Sequence, residues 1–287
     1  MVRLSLKKDA MRQRIEYFFV WLLLKLAAIM PKKALFGLTK MLAKLLYRLD
    51  RKRRNIAVTN LMQALGKSEE EAERLALQNY EEVAKTVAEI LLLFNQHFDF
   101  DAIDDAQLQK IAHLKAPVIF LTAHIGNWEA LAQLLAKRGF PMGVVGRKGN
   151  NELIEKRITL PFRQRYGNWL IYKHEAAKSL VRALRNGKNV GLLLDQRGGK
   201  AGIWVDFLGR LASTVPTAYM LQKRFGAPIV PIFLVREGER LRVVVDDVIE
   251  WEEMDEATHT KKINEAYERI IKAYPTQWFW MHERWRK

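Results

Sequence analysis

The segment Val118-Ile119-Phe120-Leu121-Thr122-Ala123-His124-Ile125-Gly126-Asn127-Trp128-Glu129 joins an apolar run to a helical pattern through a single turn. Short apolar runs bounded by turn residues are typical of buried strands. The run at 118–123 therefore predicts a strand, and the pattern at 128–138 predicts the helix that follows it. Strands and helices that alternate in this way indicate an α/β fold around a mainly parallel sheet.

The same alternation continues towards the C-terminus. Further apolar runs predict three more principal strands and one antiparallel addition, at 142–146, 190–194, 229–235 and 241–245. Helical patterns predict helices at 152–165, 175–185, 215–225 and 261–274. We therefore predict that residues 113–287 form an α/β core with a mainly parallel central sheet flanked by helices.

The sequence before this core has a helical pattern without strand signals from residue 32 to about residue 93. Apolar residues recur every three or four positions between Leu35 and Leu45, as they do on the buried face of a helix. Ser68 followed by Glu71 predicts a capping box at the start of another helix. We expect a helical region at 32–112 that packs with the core, so that 32–287 is one compact unit.

Residues 1–31 are expected to form a membrane-anchor helix, because basic residues flank an apolar run at 17–30. This run contains Lys25 and is shorter than the ~20 apolar residues that cross a bilayer. Two arrangements therefore stay open, a single-pass helix and a monotopic helix at the interface with a snorkelling lysine. A buried core helix is a third alternative, against which Trp21 and the basic flanks weigh.

The composition narrows the classes of partner. The chain of 287 residues has 48 Lys and Arg against 32 Asp and Glu, a formal charge of +16, which favours anionic partners. Nucleic acid, an anionic membrane and an acidic carrier protein all fit. The absence of cysteine excludes disulfides, thiolate metal sites and a cysteine nucleophile. A basic nucleic-acid-binding or membrane-binding protein is the non-enzymatic alternative, although the sequence contains no RNA-binding signature and no helix-turn-helix.

Polar side chains follow three of the predicted strands at the point where each strand ends. His124 follows the first, Arg147 the second, and Asp195 and Gln196 the third. In open α/β sheets, functional sites form at the carboxyl ends of the strands. Buried ionisable groups are costly unless they are paired, so packing alone does not explain charges at one edge. The sequence therefore predicts a shared pocket there.

His124 and Glu129 are the candidate catalytic pair. On a continuous helix a separation of five residues would turn their side chains about 140° apart. If His124 ends the strand and Gly126 turns the chain, Glu129 lies in the first helical turn and can fold back beside the imidazole. Such a pair can take a proton from an alcohol that attacks an ester or thioester. The alternative is a structural histidine and a carboxylate at a helix N-terminus.

Other catalytic signatures are missing from the sequence. It contains no Gly-x-Ser-x-Gly elbow, no zinc-ligand spacing that includes His124, Glu129 and Asp195, and no phosphate-binding loop at Gly198-Gly199. We therefore predict no metal site.

The segment from Thr122 to Glu129 resembles the first motif of the lipid A biosynthesis late acyltransferases, within the lysophospholipid and glycerolipid acyltransferase superfamily. Further segments across nearly the whole chain follow in the order of that family, at Arg147, at 163–168, at Asp195-Gln196 with 205–209 and 212–214, at 226–231 and at 275–282.

The resemblance implies transfer of a fatty acyl chain from acyl carrier protein, or less often from coenzyme A, to a hydroxyl of a lipid A precursor in lipopolysaccharide biosynthesis. It places the enzyme at the cytoplasmic side of the bacterial inner membrane. It implies no metal and no organic cofactor, because the thioester is already activated. One step in a ternary complex is expected, since no nucleophile is evident. A monomer without nucleic acid is our default.

The resemblance also implies roles for individual residues. His124 would be the general base, with Glu129 as its partner. The expected substrate-binding residues are Asn127, Arg147, Arg163, Arg165, Asp195 and Gln196, and Arg165 is preferred over Arg163. The segment 197–200 is more basic than expected and Leu208 replaces a second aromatic residue, so other membrane glycolipid or phospholipid acceptors stay open.

Overall fold

The structure is a computed structural model that describes the backbone of residues 2–286 and the side chains of residues 10–286. Its strands are β1 (Ile119–Thr122), β2 (Met142–Gly146), β3 (Trp169–Tyr172), β4 (Asn189–Leu193), β5 (Ile203–Phe207), β6 (Arg210–Thr214), β7 (Ile229–Glu237) and β8 (Arg240–Val245). Its helices are α1 (Val2–Ile29), α2 (Lys32–Leu49), α3 (Arg51–Leu65), α4 (Glu69–Phe94), α5 (Trp128–Lys137), α6 (Glu152–Ile154), α7 (Leu160–Arg163), α8 (Ala176–Arg185), α9 (Thr217–Phe225) and α10 (Glu256–Ala273).

The central sheet has the strand order β3-β2-β4-β1-β7-β8 over the described part of the chain. All neighbouring strands run parallel except β7 and β8, which pair antiparallel across the turn at Gly238. The mainly parallel sheet and its antiparallel addition are therefore confirmed.

Side chains on the two faces of this sheet form separate cores. Along β1, Ile119 and Leu121 belong to one apolar cluster, while Phe120 belongs to the other. This alternation follows from the pleat of a strand, which points successive side chains to opposite faces. Since helices cover both faces, these strands read in the sequence as nearly continuous apolar runs.

Two parts of the sheet structure differ from the prediction. Strand β3 lies at the edge of the sheet, and β5 with β6 forms a separate hairpin; neither was expected. The predicted helix at 152–165 is broken into α6, a π-helical stretch (Glu155–Thr159) and α7. The hairpin turns at Leu208 and Gly209, both of which have positive φ. Strand β5 contains Asp206 and an exposed Trp204, so it lacks the apolar pattern by which the other strands were predicted.

The N-terminal third is helical, as predicted. Ser68 and Glu71 form the expected capping box at the start of α4. Helix α4 lies against both α2 and α3 and buries residues along most of its length. The anchor segment lies in α1, a helix of 28 residues. Among the described residues, no helix is both long and apolar enough to cross a membrane.

The aromatic C-terminal segment at residues 275–286 packs inside the protein. Trp278, Trp280 and Trp285 are at most 8% exposed, and Trp278 lies within 6.1 Å of the rings of both other tryptophans. Side chains from α3 and α4 hold the backbone of this tail. Asn79 Nδ2 donates to the carbonyl of Trp278 (2.6 Å), and Asn60 Nδ2 donates to the carbonyl of Trp280 (2.9 Å). We call residues 275–286 the C-terminal strap.

Gly126 makes the turn between β1 and α5 possible. It has a φ of +54°, and a Cβ atom there would overlap the carbonyl group of Leu234 on β7. The next residue, Asn127, donates its backbone amide to that same carbonyl (2.9 Å). Only glycine combines this backbone conformation with so close an approach.

We predict that Gly126→Ala lowers the free energy of unfolding by clearly more than Gly226→Ala. Gly226 has a similar φ of +62°, but nothing lies within 4 Å of the position of its missing Cβ. The control should therefore cost only the ~1–2 kcal/mol of a left-handed alanine. The clash should cost Gly126→Ala at least about 1 kcal/mol more, as measured by urea unfolding. Equal losses would show that the turn relaxes freely.

Candidate active site

His124 and Asp195 are brought together by the pairing of two neighbouring strands. Strands β1 and β4 run parallel with Thr122 opposite Leu193, so the residues two positions further on leave the sheet side by side. The backbone amide of His124 donates to Asp195 Oδ2 (2.9 Å), and the imidazole Nδ1 lies 2.9 Å from Asp195 Oδ1. Asp195 therefore holds both the backbone and the ring of His124.

This contact determines which ring nitrogen is available. An ionised carboxylate only accepts hydrogen bonds, so Nδ1 of His124 carries the proton and donates to Asp195. Nε2 is then left as an acceptor. The side chain of Asp195 is 1% exposed, whereas that of His124 is 25% exposed. The basic nitrogen thus belongs to the ring that a substrate can reach.

The charged neighbours of His124 stabilise its imidazolium form relative to an imidazole in water. Burial works against the charged ring, but the charge and hydrogen bond of Asp195, with a smaller contribution from Glu129, raise the pKa of His124 above its ordinary value. Burial would raise the pKa of Asp195, but the charge of His124 and hydrogen bonds from His124 and Trp278 lower it. The proton of the pair therefore lies on the histidine.

The C-terminal strap completes the environment of this pair. Trp278 Nε1 donates to Asp195 Oδ2 (2.8 Å), which gives the buried carboxylate a third hydrogen bond. The backbone of the strap also pairs with residues 124–126, in the turn between β1 and α5. Phe279 donates its amide to the carbonyl of His124 (2.9 Å), and Gly126 donates its amide to the carbonyl of Gln277 (3.2 Å). The strap therefore fixes both the turn and the carboxylate.

The position of Glu129 differs from the expectation. Its carboxylate pairs with Arg163, with Glu129 Oε1 2.7 Å from Arg163 Nη2, and the hydrogen bond to the imidazole comes from Asp195 instead. The physical reason is the strand register, which places Asp195 directly beside His124, while Glu129 already lies within α5. Both members of the Glu129–Arg163 pair are partly exposed. They therefore add a cation and an anion to the open edge of the site.

Asn127 was expected to bind substrate, but its side chain is fully buried and engaged in the fold. Its Oδ1 accepts the amide of Ala130 (2.9 Å) and so caps α5. Its Nδ2 donates to Glu89 Oε2 on α4 (2.8 Å). Asn127 directly precedes α5, and Asn is one of the residues preferred at such an N-cap position.

Glu89 belongs to a buried ionic network centred on Arg236. The guanidinium of Arg236 lies 2.6 Å from Glu89 Oε2 and 3.2 Å from Glu82 Oε2, and its Nη2 donates to Thr86 Oγ1 (2.8 Å). Thr86 Oγ1 in turn donates to the carbonyl of Gly126 (2.9 Å). This network thus connects α4 and β7 to the turn between β1 and α5. It comprises Glu82, Thr86, Glu89 and Arg236.

Two of the predicted substrate-binding residues have side chains that already hydrogen-bond to other parts of the protein. Asp195 is buried, and its carboxylate oxygens accept hydrogen bonds from His124 and Trp278. Arg165 turns away, since its Nη1 donates to the carbonyl of Leu93 (2.8 Å). Together with Tyr166 it lines a separate cavity of about 200 Å³.

The remaining predicted residues stay at the carboxyl edge of the sheet. Arg147 is exposed after β2, and Arg163 lies so close to Gly146 that a Cβ there would meet its Nη1 at 2.8 Å. Gln196 is half-buried after β4, and its carbonyl accepts a hydrogen bond from Arg284 Nη1 (3.4 Å). Arg163 is therefore the arginine that contacts Glu129, whereas Arg165 donates to the carbonyl of Leu93. A part of either arginine in substrate binding stays a prediction.

Several residues that form the site were not identified as site residues from the sequence. Trp278 belongs to the segment 275–282, for which only a family resemblance was noted, while Glu89 lay in a predicted helical region and Arg236 directly after a predicted strand. Arg284 is fully buried without a carboxylate partner among the described residues, and burial lowers its pKa to about 10. A basic residue inside an aromatic tail was the one available signal for a buried cation.

The arrangement suits proton transfer to and from a substrate oxygen or sulfur. It consists of an accessible Nε2, an ionised carboxylate on the far side of the ring, and a neighbouring salt bridge at the open edge. Trp128 lies beside the imidazole, with the ring centres 5.2 Å apart. Among the described side chains, no three His, Asp or Glu residues are grouped as metal ligands would be.

Comparison with known proteins agrees with the resemblance seen in the sequence. A profile described as bacterial lipid A biosynthesis acyltransferase matches residues 5–287. The chain is similar to a lipid A biosynthesis myristoyltransferase of Escherichia coli K12, with 27% identity over 57% of this chain and 52% of the relative. That alignment spans about half the length of the relative.

Two further likenesses cover most of the chain. The lipid A biosynthesis lauroyltransferase of Escherichia coli K12 is 25% identical over 94% of this chain and 92% of its own length. Among solved structures, the 1-acyl-sn-glycerophosphate acyltransferase PlsC from Thermotoga maritima aligns with a TM-score of 0.44 and 14% identity, over 86% of this chain and 99% of that one.

We predict that Arg236→Met lowers the free energy of unfolding by about 3–5 kcal/mol, because it leaves the buried carboxylate of Glu89 without its cation. The double variant Arg236→Met/Glu89→Gln should recover part of this loss, since the unpaired charge of Glu89 is removed. Urea unfolding of the two variants measures the difference. A double variant as unstable as the single one would contradict a network held together by charge.

Proposed function

Because the chain belongs to the bacterial lipid A biosynthesis acyltransferase family, we propose that it transfers a fatty acyl group from a thioester donor to a hydroxyl of a lipid A precursor. The donor is acyl carrier protein or, less often, coenzyme A. The reaction takes place at the cytoplasmic face of the inner membrane. The observation that carries the proposal is the imidazole of His124, whose Nδ1 is held by Asp195 while the ring stays accessible.

In the proposed reaction His124 is the general base. Nε2 removes the proton of the acceptor hydroxyl as its oxygen attacks the thioester carbonyl. The imidazolium formed is stabilised by the carboxylate of Asp195, which stays ionised. When the tetrahedral intermediate collapses, the carbon–sulfur bond breaks and the imidazolium returns the proton to the leaving thiolate. The products are the new ester and the free thiol.

The start of α5 supports the developing negative charge. The first amides of a helix have no partners within the helix, and the helix dipole adds positive potential there. Since α5 begins at Trp128, directly after the turn that follows β1, these amides lie next to His124 along the chain. We propose that they stabilise the oxyanion of the tetrahedral intermediate.

Arg163 and Glu129 are proposed to position the substrates. Arg163 offers a partly exposed guanidinium at the open edge, which suits a phosphate of the acceptor or of the donor arm. Glu129 holds this guanidinium in place and adds to the charge that favours the imidazolium. Exposed Arg147, at the end of the neighbouring strand, extends the same cationic edge.

The helical region and the α/β core are proposed to work as one unit. Helix α4 supplies Glu82, Thr86 and Glu89 to the network behind the turn between β1 and α5, and Asn60 of α3 holds the C-terminal strap. Residues 32–112 therefore have a direct structural part in forming the site.

The direct test is a transfer assay. Purified protein is incubated with acyl carrier protein that bears a radiolabelled acyl chain and with a tetra-acylated lipid A precursor. We expect label in the glycolipid, and a rate for His124→Ala that is lower by about 10²–10⁴. His174→Ala is the matched control, because its side chain is 64% exposed and its ionic partner is the neighbouring Glu175.

The outcomes separate the parts of the proposal. If the wild-type protein labels no glycolipid with either an acyl carrier protein or a coenzyme A donor, the proposed function is wrong. If label appears only in a different glycolipid or a phospholipid, the acceptor class is wrong while the chemistry stands. If His124→Ala works as fast as the His174→Ala control, His124 is not the base.

A further inference from the structure

We propose that the outward face of α2 is a docking surface for an anionic lipid bilayer, and that this helix lies in the plane of the membrane. The inference extends the proposed function, which places the acceptor in a membrane. Its test measures binding without turnover, so the two proposals can fail separately.

Helix α2 has one face that is already occupied. Leu35, Thr39 and Ala43 are buried, and the helix packs along α4. Lys40 and Lys44 both reach Glu81 of α4, at 2.9 Å and 3.3 Å. These contacts fix the rotation of α2 about its own axis and therefore determine which side chains point outward.

The outward face is a continuous apolar stripe. Its members recur at three- and four-residue spacing, as neighbours on one side of a helix do. They are Leu38 (38% exposed), Met41 (59%), Leu42 (45%), Leu45 (48%), Leu46 (57%) and Leu49 (70%). Single exposed leucines are ordinary on protein surfaces, but a contiguous row of six large apolar side chains marks a surface that another apolar phase covers.

The charges around the stripe indicate the kind of partner. From Lys32 to Leu49 the sequence has five basic residues and no Asp or Glu. With Lys40 and Lys44 paired to Glu81, exposed cations remain at both ends of the helix, at Lys32, Lys33 and Arg48. The segment Arg51-Lys52-Arg53-Arg54 follows at once. An apolar stripe with basic ends is the pattern of helices that lie in an anionic lipid surface.

The same charges argue against a second copy of the chain as the occupant. Pairing two α2 stripes would bring two acid-free, cationic helices together, and like charges that flank a helix seam destabilise it. A lipid surface has no such penalty, because its anionic headgroups neutralise the basic ends while its acyl chains receive the leucines.

Helix α1 extends this surface. Large apolar side chains are exposed on it, with Phe19 at 62% and Ile29 at 81%. The polypeptide then turns at Pro31 into α2. Asn151, which follows β2 at the carboxyl edge of the sheet, donates through Nδ2 to the carbonyl of Gln13 on α1 (2.9 Å). The exposed apolar helices are thus attached to the edge that carries His124.

Helix α3 connects the basic end of α2 to the site. Arg53 Nη1 donates to the carbonyl of Met281 in the C-terminal strap (3.0 Å), three residues from Trp278, which bonds to Asp195. Docking of α2 on a bilayer would therefore hold the catalytic edge at a fixed position relative to the lipid surface, where an acceptor with acyl chains is available.

The first test is vesicle flotation of the full-length protein carrying Leu42→Glu/Leu46→Glu. We expect its partitioning onto vesicles of phosphatidylcholine with phosphatidylglycerol to be at least about tenfold weaker than for wild type, because two inserting side chains are replaced by charges. The matched control is Leu211→Glu/Met220→Glu, which alters two apolar residues that are 65% and 52% exposed outside α2. The control should bind within about twofold of wild type.

The second test uses the absence of cysteine from the chain. A single Leu46→Cys labelled with an environment-sensitive fluorophore should shift its emission to the blue on anionic vesicles, and much less on pure phosphatidylcholine. The same label at Glu70→Cys, at the exposed start of α4, should not respond.

Three results would overturn the inference. The first is a Leu42→Glu/Leu46→Glu variant that partitions like wild type, and the second is a control that loses binding equally. The third is a shift at position 46 that depends on protein concentration without vesicles, or that appears only with an acidic carrier protein. This last result would assign the stripe to a second copy or to a protein partner.

Discussion

The parallel pairing of β1 with β4 is the constraint on which the site depends, because it places residues 124 and 195 beside each other. The imidazole and the carboxylate come from segments 71 residues apart, and their contact needs no bending of either strand. A carboxylate that is 1% exposed would be costly without compensation. The carboxylate of Asp195 is compensated by hydrogen bonds from the amide and ring of His124 and from the indole of Trp278. The buried charge therefore explains why the strap must lie where it does.

A second set of buried charges holds the turn itself. Arg236 of β7 pairs with carboxylates of α4. One of them, Glu89, also accepts a hydrogen bond from Asn127 at the start of α5. Gly126 permits the close approach to β7 that the network requires. The site is consequently built between the helical region and the sheet, and each part contributes groups that the other cannot supply. The N-terminal helices therefore contribute directly to the structure of the site.

Much of the fold was predictable from local patterns. The apolar runs located β1, β2, β4, β7 and β8, and the capping residues located the start of α4. The β5–β6 hairpin was not predicted, because its strands carry charged and exposed residues such as Asp206 and Trp204. Edge strand β3 is only four residues long and partly exposed, and it was not predicted either. The π-helical break after α6 depends on packing, which a single sequence does not display.

The residues of the site were predictable in kind but not in their pairing. His124, Glu129, Arg163 and Asp195 were all identified, yet sequence proximity suggested Glu129 as the neighbour of the imidazole. Strand register, which local spacing does not reveal, places Asp195 there instead. Asn127 and Arg165 have polar side chains that the fold itself uses, as a helix cap and as a donor to the carbonyl of Leu93. Motif membership alone does not separate such residues from those that meet a substrate.

The central claim is that Asp195 is the group that orients the imidazole of His124 and raises its pKa. NMR titration of the His124 ring in the wild type, in Asp195→Asn and in Glu129→Gln tests it most directly. We predict a wild-type pKa above the ordinary value of about 6.5. It should fall well below the wild-type value in Asp195→Asn, where burial of the ring remains and the neighbouring charge is lost, and should fall less in Glu129→Gln. A pKa that Asp195→Asn leaves unchanged, with the larger fall in Glu129→Gln, would contradict the account.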